Sequence, residues 1–389
     1  MRNLRERLMA VASNPVPSRP APVRKELFFC REHIIPIQEF SDIHLITLDE
    51  VQSVDPLFTG NHWDISRVLF LDTETTGLSG GAGTVAFEIG VGFFESDKMI
   101  IRQYVMRDYS EEAAMLCEIA ELIKRFEIIV SFNGKSFDLP LLESRMVMNR
   151  IRLALTQMPH LDLLHASRRV YKLRLRRCSL SALEEAVLGH TRSNDLPGAQ
   201  VPQRYFDYVR LGDFSLLEDV LRHNFEDVKN LAVLTSHLCS VFRSPLQIEH
   251  PEDLFSVGKT LMRGGHTQKA RDCFRILGKS SLSAQAHLHL SSSYKKEHDW
   301  IQASSYWLDM IQAGEGGIQP YIELAKYHEH ITHNISSALE YALGALRLAL
   351  NTAPLNSEHS AETEPILRRI RRLKQKQERI RKSEIPEEI

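Results

Sequence analysis

A short apolar run, Val68-Leu69-Phe70-Leu71, stops abruptly at Asp72-Thr73-Glu74 and passes into Thr75-Thr76-Gly77. Four consecutive apolar residues closed by a turn-forming stretch predict a strand buried inside a sheet. Side chains alternate along a strand, so Asp72 and Glu74 emerge on one face at its end. Hard divalent cations such as Mg²⁺ or Mn²⁺ take carboxylate oxygens, and two carboxylates on one face begin a cage for them.

Two later segments carry matching acids. Ile128-Ile129-Val130-Ser131-Phe132 reads as a second buried strand and runs into Asn133-Gly134, a turn signal, and then Asp138. Leu139, Leu142 and Met146 give an apolar stripe at helical spacing, so Asp138 falls near a helix start, where a carboxylate can also serve as a plain cap. Residues 216–238 form a long helical pattern on which His223 and Asp227, four apart, share a face. The third acid therefore arrives on a helix, in order, within about one domain's length of the first.

These residues resemble the DEDD exonuclease superfamily on the ribonuclease H-like fold. Asp72 and Glu74 match its first motif, Asp138 its second and Asp227 its third. The N-x-x-x-F-D-x-P wording opened by Asn133 is similar to the proofreading domains of family-B DNA polymerases. The longer string of DTETTGLSGGAGT, FNGKSFDLPLL, HLDLL, CSLSALE, DLPG and HNFEDV, over roughly residues 60–240, resembles the YprB-type ribonuclease H-like proteins. The resemblance implies 3′→5′ exonucleolytic hydrolysis of single-stranded RNA or DNA with two divalent ions, Mg²⁺ or Mn²⁺. Asp72 would bridge both ions, Glu74 and Asp227 would hold the ion that activates water, and Asp138 would support the second. Asn133 is then expected at the nucleic acid. One departure stands out: the superfamily's histidine precedes its last Asp by five positions and its tyrosine by four, so His223 occupies the tyrosine-type place. One residue of helix is about 100° of rotation. The residue type still suits orienting or deprotonating water, because histidines titrate near neutrality.

The elements around the acids read as strands at 68–72, 84–94 and 99–106, a helix at 110–126, a strand at 127–132 and a helix at 138–149. This order predicts an α/β ribonuclease H-like domain, a mixed sheet flanked by helices, whose first three strands are antiparallel because their connections are short. Upstream, LFFC, HIIPI and IHLITL look like short strands or a loop-strand leader, preceded by a proline-rich irregular stretch at 11–24. The glycine-rich 77–83 is followed by strand-like TVAFEIGVGFF rather than a helix, which argues against a nucleotide-binding P-loop and suits a loop beside the substrate backbone.

Arg168 to Arg177 reads RRVYKLRLRR, six basic residues with no acid, in a chain whose net charge is only −2. Arg168, Arg169, Arg176 and Arg177 are candidate phosphate contacts, the rival being a solvated basic face. Asp162 is expected as a supporting or a simply structural acid. Beyond residue 250 the texture becomes all-helical. Ala270, Ala303 and Ala338 recur at spacings of 33 and 35, each followed four residues later by Phe274, Trp307 and Ala342. A period near 34 resembles tetratricopeptide repeats and implies a possible protein partner. The tail from Pro365 to Lys382 holds nine basic residues and one acid, with Ile366, Ile370, Leu373 and Ile380 near heptad spacing. It suits either a capping helix or a nucleic-acid arm.

At 389 residues the expected organisation is a leader at 1–60, a catalytic domain at 61–245, helical repeats at 250–350 and a linker with a basic helix at 351–389. No stretch approaches 18 apolar residues, which excludes a spanning helix, and the apolar run near the first residue is too short for a signal peptide. Five scattered cysteines without a C-x-x-C argue for free thiols in a reducing cytoplasm and against structural zinc.

Overall fold

The computed structural model describes residues 27–77, 83–192, 196–352 and 363–383. In chain order the strands and helices are β1 (Phe29–Pro36), α1 (Leu48–Val54), β2 (Val68–Thr75), β3 (Ala86–Glu95), β4 (Lys98–Val105), α2 (Glu112–Ile123), β5 (Ile128–Ser131), α3 (Asp138–Met148), β6 (His160–Asp162) and α4 (Leu163–Tyr171). They continue as α5 (Leu180–Leu183), α6 (Val201–Leu211), α7 (Glu218–Arg243), α8 (Pro251–Arg263), α9 (Thr267–Ile276), α10 (Ser283–Lys296), α11 (Trp300–Gln312), α12 (Gln319–His330), α13 (Ile335–Thr352) and α14 (Thr363–Ser383).

The six strands form one mixed sheet in the order β1-β4-β3-β2-β5-β6. β1, β4, β3 and β2 pair antiparallel, and β2, β5 and β6 pair parallel. The short links β2–β3 and β3–β4 allow only the antiparallel arrangement, as the sequence predicts, whereas α2 spans the crossover to β5. β2 lies inside the sheet, between β3 and β5, and Val68 to Leu71 are buried. LFFC and HIIPI merge into the single edge strand β1. The expected strand at IHLITL does not form: Ile43–Leu45 is a short helical turn, and Thr47 caps α1 through a reciprocal capping box with Glu50. That box satisfies two helix N–H groups locally, which a strand could not match. The 11–24 stretch and residues 78–82 of the glycine-rich loop lie outside the described residues.

α7 lies across the sheet. Gly92 and Gly90 on β3 allow the close approach, because a Cβ at Gly90 would stand 2.0 Å from Asn224 Oδ1 and one at Gly92 2.8 Å from Val228. On this side a single apolar core runs from Phe70, Ile101 and Val130 through Val228, Leu238 and Phe242 of α7 into Phe255, Phe274 and Trp307. A second core covers the opposite side, under α2, α3 and α6. Ala270, Ala303 and Ala338 are all buried, together with Phe274, Trp307 and Ala342. The helices from α8 onward pack mainly against their sequence neighbours. α14 docks through Ile366, Ile370 and Leu373, while Ile380 is exposed. Its Arg369, Arg372 and Lys376 converge on the buried carboxylate of Glu329. No helix among the described residues is long and apolar enough to cross a membrane.

Candidate functional site

Asp72 and Glu74 leave β2 on its less buried face, while Thr73 and Thr75, which alternate with them, are buried. α7 crosses over that face and contributes His223, Asn224 and Asp227 from one turn. His223 Nε2 stands 3.7 Å from Glu74 Oε1 and 3.5 Å from Asp227 Oδ2. Ligand atoms of Glu74, His223 and Asp227 all lie within 4.8 Å of one another, a spacing that suits one cation. The tyrosine-type place thus still carries His223 to the acids.

Asp72 is held beside this group. Asn224 Nδ2 donates to its Oδ2 at 3.0 Å, and Asn224 Oδ1 accepts from Gln103 Nε2 at 3.2 Å. Gln103 also donates to Glu88 at 2.9 Å, and Glu88 faces Glu74 across the β2–β3 ladder. Asp138 opens α3, buried, and accepts a hydrogen bond from the Thr73 hydroxyl. The turn that delivers it depends on Asp162, whose two oxygens accept from the backbone N–H groups of Asn133 (2.9 Å), Lys135 (3.1 Å) and Leu164 (3.0 Å). Asn133 adopts φ 70°, a left-handed conformation that Asn tolerates better than most residues. Asp162 therefore caps α4 and ties down the loop before Asp138, the structural alternative of its two sequence readings.

Crowding shows in the acidities. Burial, then the charges of Asp227 and Asp138, push Asp72 well above the usual carboxylate range. Burial followed by Asp72 does the same to Glu74. Burial lifts Asp138 to about 6, against the opposing hydrogen bond from Thr73. Asp227 is raised by burial although His223 and Arg192 oppose it. Glu88 is lifted by burial to about 8, so it is largely protonated at neutral pH. Four carboxylates packed this way with Arg192 are short of positive charge, which a divalent cation would supply. The carboxylate oxygens fit a hard ion such as Mg²⁺ or Mn²⁺.

Asp72 and Asp227 line a cleft of about 720 Å³ that is also lined by Phe132, Asn133, Arg168, Lys172, Arg176 and Arg177. Arg168 and Lys172, four apart, share a face of α4 and its end. The six-base run divides here. Arg169 does not join the cleft: it donates at 2.9 Å to both Val54 O and Asp55. Arg174 pairs with Asp253 at 2.7 Å. The two residues on the far face of the segment tie α4 to α1 and α8, which is a packing role rather than a phosphate-binding one. Lys172 was visible as a charge but not singled out.

Residues 69–239 match a family model described as the RNase_H superfamily. Along its length the chain is 32% identical over 360 residues to the Bacillus subtilis (strain 168) protein described as "Uncharacterized protein YprB", covering 90% of this chain and 85% of that one. The chain belongs to the ribonuclease H superfamily. Among solved structures, a family B DNA polymerase from Pyrobaculum calidifontis aligns over 51% of this chain and 29% of its own, with 16% identity and a TM-score of 0.35. That likeness is too slight to carry an argument.

Several members of the site escaped the sequence reading. Arg192 lies in a loop without periodicity, and Asn224 and Gln103 are neutral residues in regular elements. Glu88 did leave a signal, a lone acid inside the otherwise apolar AFEIGVGFF.

Proposed function

We propose that this chain is a metal-dependent nuclease that shortens single-stranded RNA or DNA from the 3′ end. The observation that carries the reading is the meeting of Glu74, His223 and Asp227 beside a cleft lined by Asp72, Asp227 and the four basic side chains of Arg168, Lys172, Arg176 and Arg177. Asp72, Glu74 and Asp227 would hold the divalent ions, with Asp138 as supporting ligand. Two such ions when bound stabilise the attacking and leaving oxygens of an in-line phosphodiester displacement. Arg168, Lys172, Arg176 and Arg177 bind the backbone phosphates and hold the strand against the acids. Asn224 keeps Asp72 turned toward the cluster, and His223, beside Glu74 and Asp227, orients the attacking water. Burial of the acids excludes bulk water, so each charge interaction is stronger than at an open surface.

The proposed division of labour assigns 61–245 to hydrolysis. The helices of 250–350 would be tetratricopeptide-like repeats offering a face to a protein partner, supported by the buried alanines at 270, 303 and 338. The test is degradation of 3′- and 5′-labelled single-stranded RNA and DNA by wild type and D72N in Mg²⁺ and in Mn²⁺. Stepwise shortening from the 3′ end by wild type alone supports the proposal and reveals the sugar preference. Internal cuts would instead make it an endonuclease. Equal binding by both proteins without cleavage would make it a nucleic-acid-binding protein on a nuclease fold.

A further inference from the structure

Arg192 is the least expected member of the centre. Its side chain is only 7% exposed, and its guanidinium is gripped from two sides. On one side Nε donates to Glu184 Oε2 at 2.6 Å and a terminal nitrogen donates to Glu184 Oε1 at 2.5 Å. Glu184 is buried and also accepts from Asn230 Nδ2 at 2.8 Å. On the other side Arg192 donates to Asp227 Oδ1, and its second terminal nitrogen stands 3.5 Å from Nδ1 of His223.

A guanidinium has N–H groups to give and no lone pair to accept with. The ring nitrogen it approaches must therefore be the lone-pair nitrogen, which in a neutral imidazole leaves the proton on the other. That other nitrogen, Nε2, is the one facing Glu74 and Asp227. With Oδ1 of Asp227 engaged by Arg192, the oxygen nearer His223 is Oδ2.

We propose that Arg192 is a positioning residue: anchored by Glu184 and Asn230, it turns one oxygen of Asp227 toward the cluster and fixes His223 as an Nε2–H hydrogen-bond donor. In this form His223 holds a water or a phosphate oxygen in place. It neither binds a cation through Nε2 nor takes a proton there, so a general-base role at that atom is closed. The purpose of the arrangement rests on the nuclease reading, but its geometry does not.

The test uses the full-length, metal-free protein with ¹⁵N-labelled histidines. Two-bond ¹H–¹⁵N correlation separates a protonated ring nitrogen from a lone-pair one, and loss of one pattern in H223N identifies His223. The expected wild-type pattern has Nε2 protonated and Nδ1 bare. R192M alone would strand Glu184 inside the protein, so the variant is R192M/E184Q, which removes both charges together. It should shift His223 to a mixture of tautomers and weaken Mn²⁺ binding, measured by calorimetry, by about 10- to 100-fold. A wild-type Nδ1–H, or a double variant with unchanged tautomer and unchanged Mn²⁺ affinity, overturns the proposal. Neither readout needs hydrolysis. Absent cleavage with the expected spectra would refute the nuclease reading alone, and cleavage with the opposite tautomer would refute only the role of Arg192.

Discussion

Replacing Asp138 by Asn should make the metal-free protein more stable, although it removes a residue of the centre. Burial lifts this carboxyl from 3.8 to about 6. At about 1.36 kcal/mol for each pH unit between those values, ionising Asp138 in place costs about 3 kcal/mol. The folded protein holds this proton more tightly than the unfolded chain. The penalty is thus absent below pH 3.8, grows as pH rises, and is complete above about 6. An Asn at 138 carries no charge, and its amide oxygen can still accept from the Thr73 hydroxyl. In EDTA at pH 7.5, D138N should melt above wild type by on the order of 5 °C, taking roughly 2 °C per kcal/mol for a long chain. At pH 4 the two curves should coincide. Mn²⁺ at about 1,000 times its Kd should reverse the order, because a ligand at that excess adds about 4.1 kcal/mol to the protein that binds it. Thermal melts by fluorescence across pH 4–8, with EDTA and with Mn²⁺, read all three conditions. A D138N protein no more stable than wild type at pH 7.5 in EDTA, or equally shifted at pH 4, would refute the reasoning from buried charge.

Asp162→Ala removes the acceptor of three N–H groups and should destabilise the protein by about 2–4 kcal/mol, seen in urea melts. K172A/R176A should weaken single-strand binding at low salt and flatten the dependence of log K on log salt by about one for each charge removed, measured by fluorescence anisotropy. R169A should leave that slope alone, since Arg169 faces Asp55. Glu329→Gln takes the acid from beneath Arg369, Arg372 and Lys376. The tail helix α14 should then be released to limited proteolysis while the rest of the chain resists; unchanged protection of α14 would contradict its electrostatic docking. In the wild type this anchor holds at all ordinary pH, because Arg372 and Lys376 outweigh burial and draw Glu329 down to about 2.

The acids were legible because their neighbours are one-dimensional signals. Val68 to Leu71 announces a buried strand, and alternation alone puts Asp72 and Glu74 on one face. The helical period around His223 and Asp227 likewise fixes a shared face. What could not be read were contacts made across the fold. Arg192 meets Asp227 from a loop 35 residues away, and no periodicity forecasts that approach. Helical spacing puts Arg168 and Lys172 on one face, but that Arg169 and, beyond the end of α4, Arg174 turn instead to Asp55 and Asp253 depends on where α1 and α8 pack. The IHLITL error has a local cause: β-branched residues favoured a strand, and the Thr47–Glu50 box overrode them.

α7 is 26 residues long, about 39 Å at 1.5 Å per residue. One part of it carries His223, Asn224 and Asp227; further along, Leu238 and Phe242 enter the apolar core shared with Phe255, Phe274 and Trp307. A chain cut after α7 would therefore bare the apolar flank of the sheet-bearing half. Loss of function on such a cut would report a collapsed fold rather than a missing partner. Natural substitutions in the downstream helices should accordingly surface as heat-sensitive forms of the protein, with the damage far from any of the clustered acids.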